Sequence, residues 1–196
     1  ALGGLCRRVI NCGRGLTVCH LWDRNRSSCG FDSRRPLSPT PLETTEMIDL
    51  RDYQSEAVNL CYDYLRTQDG NPLIVIPTGG GKTPVIATLC TDAVQLWNGR
   101  VLVLAHVKEL LEQTAGTLRK MCPTLSVGVY SAGLKRRELG RPVTVAGIQS
   151  VYSKAEELGH IDLVIVDEAH LIPPDGDGMY RTLIDDLKQA NPDVRV

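Results

Sequence analysis

Ile76-Pro77-Thr78-Gly79-Gly80-Gly81-Lys82-Thr83 decides how this chain is read. The apolar run Leu73–Ile76 predicts a short buried strand before it. Val85–Trp97 predicts a helix after it, stopped by Asn98-Gly99. Between strand and helix, three successive glycines permit backbone angles that other residues avoid, so N–H groups can turn inward around phosphate oxygens. The helix start adds the positive end of its dipole. Thr78, Gly79, Gly80, Gly81, Lys82 and Thr83 thus read as a phosphate cradle. In it Lys82 reaches the β- and γ-phosphates of ATP, and Thr83 offers its hydroxyl to Mg2+. Ile76 departs from the small residue that usually opens such a loop. Pro84 falls in the first helical turn, where its missing N–H costs little.

A second stretch completes the chemistry. Val164-Ile165-Val166-Asp167-Glu168-Ala169-His170 is an apolar strand ending in two acids, with Asp167 lying 84 positions after Thr83. That interval leaves room for three further strands. Asp167 is expected to hold the magnesium shell and Glu168 to polarise an attacking water. By itself the tetrapeptide could be a strand end with solvated acids.

Around these motifs the chain alternates strand and helix. Residues 52–67 predict a helix with Val58, Leu60, Cys61, Tyr64 and Leu65 on its apolar face. Val101–Ala105, Val127–Tyr130, Val143–Ala146 and Leu163–Val166 predict strands. Lys108–Met121 and Leu183–Ala190 predict helices, and Val194-Arg195-Val196 reads as a strand beginning. Repeated alternation implies an α/β fold with a parallel sheet covered by helices on both faces, binding ligands at the carboxyl ends of its strands.

Residues 1–46 differ. They hold seven arginines, four acids and no lysine, with Pro36, Pro39 and Pro41 close together and no helical or strand period. The segment is expected to be disordered or a non-native leader, with the domain spanning 47–196. A transit peptide and a start at Met47 are the alternatives, and the abrupt change at Met47 favours the second. The remaining chain carries 15 bases against 19 acids. Bulk charge therefore does not grip nucleic acid, and any such contact must be local. No apolar run is long enough to span a membrane as a helix. The seven cysteines form no C-x-x-C pair, which suits free thiols in a reducing compartment, the cytoplasm, better than a zinc site.

Taken together, Pro77-Thr-Gly-Gly-Gly-Lys-Thr83 and Asp167-Glu-Ala-His170 resemble superfamily 2 helicases of DEAH type, and the resemblance runs over residues 48–196. It implies the first RecA-like domain of a P-loop NTPase, an ATP hydrolase driven by nucleic acid. Leu50-Arg51-Asp52-Tyr53-Gln54 resembles the adenine-recognising motif, which implies adenine contact by Gln54 with Arg51 nearby. A helix start capped by Asp52 explains the same residues. Val103-Leu-Ala-His106-Val-Lys108-Glu-Leu110 and Gly147-Ile-Gln149-Ser150-Val151 resemble nucleic-acid motifs, which implicates His106, Lys108, Gly147, Gln149 and Ser150; strand–helix joinery is the bland alternative. His170 is implied to couple the nucleotide site to nucleic acid. The wording of these motifs, with Ser131-Ala-Gly-Leu-Lys-Arg136, resembles the RadD/YejH-type DNA-repair helicase-like proteins, which favours DNA over RNA. The basic group Lys135, Arg136, Arg137 and Arg141 is either a solvated loop or a phosphate contact. The resemblance also implies a second RecA-like domain, absent here, and a sheet cut short at Val196. Slow or no turnover by this chain alone is then expected. An inactive nucleotide-binding module and a P-loop enzyme of another class, such as a kinase, remain the competing readings.

Overall fold

The computed structural model describes residues 6–12 and 16–21 as backbone, and residues 48–172 and 178–196 in full. Asp175-Gly176-Asp177, a weak calcium-loop candidate set aside for lack of the closing Glu, lies outside the described residues. The chain divides into two compact units between Leu89 and Cys90.

In the first unit, β1 (Cys6–Cys12) and β2 (Leu16–Leu21) are followed by α1 (Asp52–Thr67) and β3 (Asn71–Val75). The three strands form an antiparallel sheet in the order β1-β2-β3, with Val18 opposite Ile74 and Thr17 opposite Val75. Two expectations are corrected here. The segment 1–46 was read as lacking regular structure, yet it supplies two strands. The strand before the glycine loop was read as buried and parallel, yet it pairs antiparallel with β2 and none of its residues is fully buried. The physical reason is that backbone N–H and C=O groups demand partners but do not choose them. A short apolar run satisfies them equally from either strand direction. α1 buries Gln54, Ala57, Val58, Cys61 and Tyr64, a helical stripe close to the one expected, with Leu60 and Leu65 only partly covered.

Helix α2 (Lys82–Gln95) begins at the loop lysine and ends ahead of Asn98, which adopts the left-handed conformation that stops a helix. The second unit contains β4 (Val101–Ala105), α3 (Lys108–Met121), β5 (Val127–Ser131), the two-residue β6 (Arg136–Arg137) and β7 (Val143–Gly147). The short helices α4 (Ile148–Val151) and α5 (Ala155–Leu158), β8 (Leu163–Val166) and α6 (Met179–Ala190) complete it. The strand order is β6-β5-β7-β4-β8, parallel except for the edge strand β6. This is an α/β fold with a mostly parallel sheet and packed helices.

Every residue of β4, β5 and β7 is buried, which explains why these strands are mostly apolar and do not alternate, Ser131 and Thr144 being the polar exceptions. α3 presents Leu111, Thr114, Ala115 and Leu118 to the sheet, and α6 presents Tyr180, Leu183 and Leu187, both at helical spacing. Leu102, Leu104, Ile148 and Leu183 are fully buried, each stabilising the fold by roughly 1.5–3 kcal/mol. The anticipated final strand is present as a single parallel bridge of Arg195 to Leu163 on the outer side of β8.

Candidate nucleotide and nucleic-acid sites

The glycine loop has the backbone its sequence demands. Gly79 and Gly81 sit at φ +79° and +74°, in the left-handed region. Gly80 is required for a different reason. A Cβ there would lie 2.7 Å from the Ile76 side chain and 2.9 Å from the Pro77 carbonyl, so the unusual Ile76 fills the space that the glycine vacates. The Gly80 N–H donates to Pro77 O at 2.8 Å, closing the turn, while Thr78 and Gly79 are exposed.

The start of α1 is bound to this loop. Gln54, only 3 % exposed, donates from Nε2 to the carbonyl oxygens of Gly80 and Gly81, both at 3.0 Å. The Tyr53 hydroxyl donates to Gly80 O at 2.7 Å, and Arg51 Nη1 donates to the Tyr53 hydroxyl at 3.3 Å. Gln54 Oε1 accepts the Arg51 backbone N–H at 2.9 Å, so one amide both caps the helix start and holds the loop. The cap position is Arg51 and Asp52 is the first helical residue, which corrects the simpler reading of Asp52 as the cap. Both donors of the Gln54 amide are spent on the loop, leaving acceptor capacity on Oε1.

In the second unit, Asp167 and Glu168 follow β8 directly, and the Asp167 N–H donates to Leu104 O at 2.9 Å. Glu168 adopts φ +59°, a left-handed conformation unusual for a residue with a long side chain. A turn of 3-10 helix, Ala169–Leu171, follows and returns His170 Nδ1 to 3.2 Å from Glu168 Oε2. Tyr180 is 3 % exposed, and among the described residues its hydroxyl has no hydrogen-bond partner. Burial, and then the negative charge of Asp167, push its phenol upward. A carboxylate at a strand end is an oxygen ligand of the kind that a hydrated divalent cation prefers. Among the described residues no group of three or more His, Cys, Asp or Glu is arranged to hold a metal by itself.

The residues read as nucleic-acid contacts gather at the carboxyl ends of adjacent parallel strands. Ala105 pairs with Gly147, so His106 and Lys108 leave β4 beside Gln149 and Ser150 leaving β7. Lys108 and Gln149 are exposed. Ser150 is used within the protein, its Oγ accepting the Ala132 N–H at 2.9 Å and fixing the turn after β5. A Cβ on Gly147 would lie 3.2 Å from Leu111, so this glycine admits α3 against the sheet. Lys108 reaches the same turn, its Cδ lying 3.5 Å from where a Cβ on Gly133 would be.

The basic group after β5 is not uniform. Arg136 pairs with Glu138 at 3.0 Å, Arg137 pairs with Glu157 at 2.6 Å, and Arg141 donates to Ser126 Oγ at 3.0 Å. Lys135 stands exposed at the turn with φ +53°. Glu157 also accepts the buried Tyr130 hydroxyl at 2.9 Å, while Lys154 donates to that hydroxyl at 3.2 Å. The Tyr130 hydrogen bond, then the charges of Arg137 and Lys154, hold the Glu157 carboxyl below the usual carboxylate range. Sequence reading missed this cluster, because its members lie up to 27 positions apart. Cys61 and Cys90 are buried, as expected for small apolar fillers, and burial pushes the Cys61 thiol up to about 12.

A glycine loop at a helix start and an acid pair at the end of a parallel strand define a protein of the helicase ATP-binding class. The chain belongs to the family described as type III restriction enzyme, res subunit, whose model matches residues 47–192. It is 28 % identical over 159 residues to the "Putative ATP-dependent helicase IRC3" of Saccharomyces cerevisiae. That match covers 75 % of this chain, which spans about a fifth (22 %) of the yeast protein. Its fold resembles the UvsW helicase of bacteriophage T4, with a TM-score of 0.55 at 19 % identity, covering 74 % of this chain and 50 % of the other. It also resembles the type ISP restriction-modification enzyme LlaGI, solved with a DNA substrate mimic. There the TM-score is 0.51 at 19 % identity, covering 62 % of this chain and 15 % of the other.

Among the described residues no helix is long and apolar enough to cross a membrane.

Proposed function

We propose that this chain is the ATP-binding motor domain, beginning near Met47, of a superfamily 2 ATPase of DEAH type that acts on nucleic acid, with DNA favoured over RNA. The carrying observation is a glycine loop with Gly79 and Gly81 at positive φ, entering α2 at Lys82, in a chain of the res-subunit family. Lys82 neutralises the β- and γ-phosphates, and the loop N–H groups hold their oxygens. Thr83 and Asp167 hold Mg2+, which when bound supplies charge neutralisation at the phosphate oxygens. Glu168 orients and polarises the attacking water. Gln54 and Arg51 serve the adenine side, and the hydrogen bonds of Gln54 to Gly80 and Gly81 make α1 a transmitter between base and phosphates. His170, paired with Glu168, couples hydrolysis to bound nucleic acid.

His106, Lys108, Gly147, Gln149 and Ser150 mark the nucleic-acid edge, with Lys135 beside them. Lys108 and Gln149 contact phosphates directly, while Gly147 and Ser150 hold the loops in place. Turnover and translocation belong to a longer protein with a second RecA-like domain. An arginine finger from such a domain is worth about 10³–10⁵ in rate in related NTPases. The free-thiol reading of the cysteines supports the cytoplasm as the cell compartment, and the RadD/YejH resemblance supports DNA repair as the pathway.

The test is ATP turnover by the longer protein with and without single-stranded DNA. Glu168→Gln should keep ATP binding while DNA-stimulated turnover falls by about 10²-fold or more. Normal turnover in that variant would move the water-activating role elsewhere. Binding without stimulated turnover in the parent would assign a nucleotide-binding module instead.

A further inference from the structure

We propose that Tyr53 is a positioning residue for phosphate binding: its hydroxyl holds the Gly80 carbonyl and thereby aims the Gly81 N–H into the glycine loop. The inference rests on the reading of that loop as a phosphate cradle made above.

A trans peptide is planar, with its C=O and N–H pointing in opposite directions. A loop carbonyl held from outside therefore turns the next N–H inward. The peptide between Gly80 and Gly81 has no Cβ on either side, so little in the chain itself opposes a flip that would reverse both groups. Its direction has to be set by neighbours, and α1 supplies them from within the same compact unit. Gly80 O accepts from the Tyr53 hydroxyl at 2.7 Å and from Gln54 Nε2 at 3.0 Å, which occupies both of its lone pairs. Gly80 is only partly buried, and water could satisfy its carbonyl; two side chains also fix where it points. The hydroxyl is itself oriented. Arg51 Nη1 lies 3.3 Å from it, and a guanidinium only donates, so the phenol accepts there and its single proton goes to Gly80 O. Gln54 also holds the next carbonyl, Gly81 O, at 3.0 Å, and the plane of that peptide carries the Lys82 N–H. Tyr53 thus acts on the Gly81 N–H, and Gln54 on the N–H groups of both Gly81 and Lys82. Tyr53 stands in the first turn of α1, which is anchored by buried Ala57, Val58 and Cys61, so its hydroxyl is delivered from a rigid element.

The experiment measures binding of ADP and of inorganic tripolyphosphate, which has no base, to the full chain by calorimetry. The parent is compared with Tyr53→Phe, which keeps the ring and removes only the hydroxyl, and with Lys82→Ala. Tyr53→Phe should keep its melting temperature and weaken both ligands by the same factor, about fivefold, the equivalent of one ordinary hydrogen bond. By nuclear magnetic resonance, the Gly81 amide of that variant should shift less on adding tripolyphosphate than in the parent, while the Lys82 amide shifts as before. Weakening of ADP alone would assign Tyr53 to the base and overturn the proposal. Unchanged affinity for both ligands in folded Tyr53→Phe, with both weakened in Lys82→Ala, would overturn the role of Tyr53 alone. Unchanged affinity in Lys82→Ala would overturn the phosphate reading itself. A large fall in melting temperature for Tyr53→Phe would show that the hydroxyl serves the fold, and would also overturn the proposal.

Discussion

β3 and β4 are written in nearly the same language, Asn71-Pro-Leu-Ile-Val75 and Val101-Leu-Val-Leu-Ala105, and they are housed differently. β4 lies between β7 and β8 with every residue buried. β3 is the edge of a three-stranded antiparallel sheet, and Val75 is 40 % exposed. Apolar composition states what a strand can bury; its neighbours decide what it does bury. One letter already hinted at the difference. Pro72 cannot donate to a ladder, and proline within sheets is confined mostly to edges and strand starts.

The comparison can be broken at the level of stability first, where the largest effect is expected. Leu104→Ala, at a fully buried position, should lose about 2–5 kcal/mol in denaturant unfolding. Ile74→Ala, only partly buried, should lose clearly less. Equal losses would show that the two strands are equally part of the core. The next effect concerns ligand binding in the β3 region. Lys82→Ala should weaken nucleotide binding at least tenfold by calorimetry, about 1.4 kcal/mol. Unchanged affinity in a folded variant would remove the phosphate role from the glycine loop.

A smaller effect belongs to the β5 edge of the parallel sheet. Glu157 has a lowered carboxyl pKa in the folded state. Its contribution to stability is therefore present above the ordinary glutamate range and is lost as pH falls through the lowered value. The melting temperature of Glu157→Gln should lie below that of the parent at pH 7, and the gap should close as pH drops below about 4. A gap that persists in acid would trace the loss to packing and not to the charge. The smallest effect is expected from removing residues 1–46, upstream of the family match that starts at residue 47. Melting temperature and nucleotide affinity should barely change. A marked fall in either would establish that the pairing of β2 with β3 is part of the working fold.

Much of the site was legible because its chemistry is local. A loop that must bend through positive φ needs glycine at Gly79 and Gly81, and the lysine must follow at once. That constraint is written in consecutive letters. The acid pair is legible for the same reason, since an apolar strand must run out before charged groups can emerge. What escaped is what depends on distant partners. The sequence offered Lys135, Arg136, Arg137 and Arg141 as one basic patch. Folding engages the three arginines with Glu138, Glu157 and Ser126, leaving Lys135 exposed at the turn. That Ser150 also fixes the turn after β5, accepting the Ala132 N–H, could not be read from the sequence either. That Gln54 also holds the glycine loop, through the carbonyls of Gly80 and Gly81, could not be read from the sequence.

By itself, the sequence determined the alternation of strand and helix, the glycine loop, the acid pair and the broad helicase relationship, because periodicity and backbone freedom act over a few neighbouring residues. Only the tertiary structure decided that β3 pairs antiparallel, that Glu157 gathers Tyr130 and Arg137, and that Tyr180 is buried. Strand pairing, ion pairing and burial are relations between groups far apart in the chain. Their energies depend on distance in space, which no stretch of letters specifies.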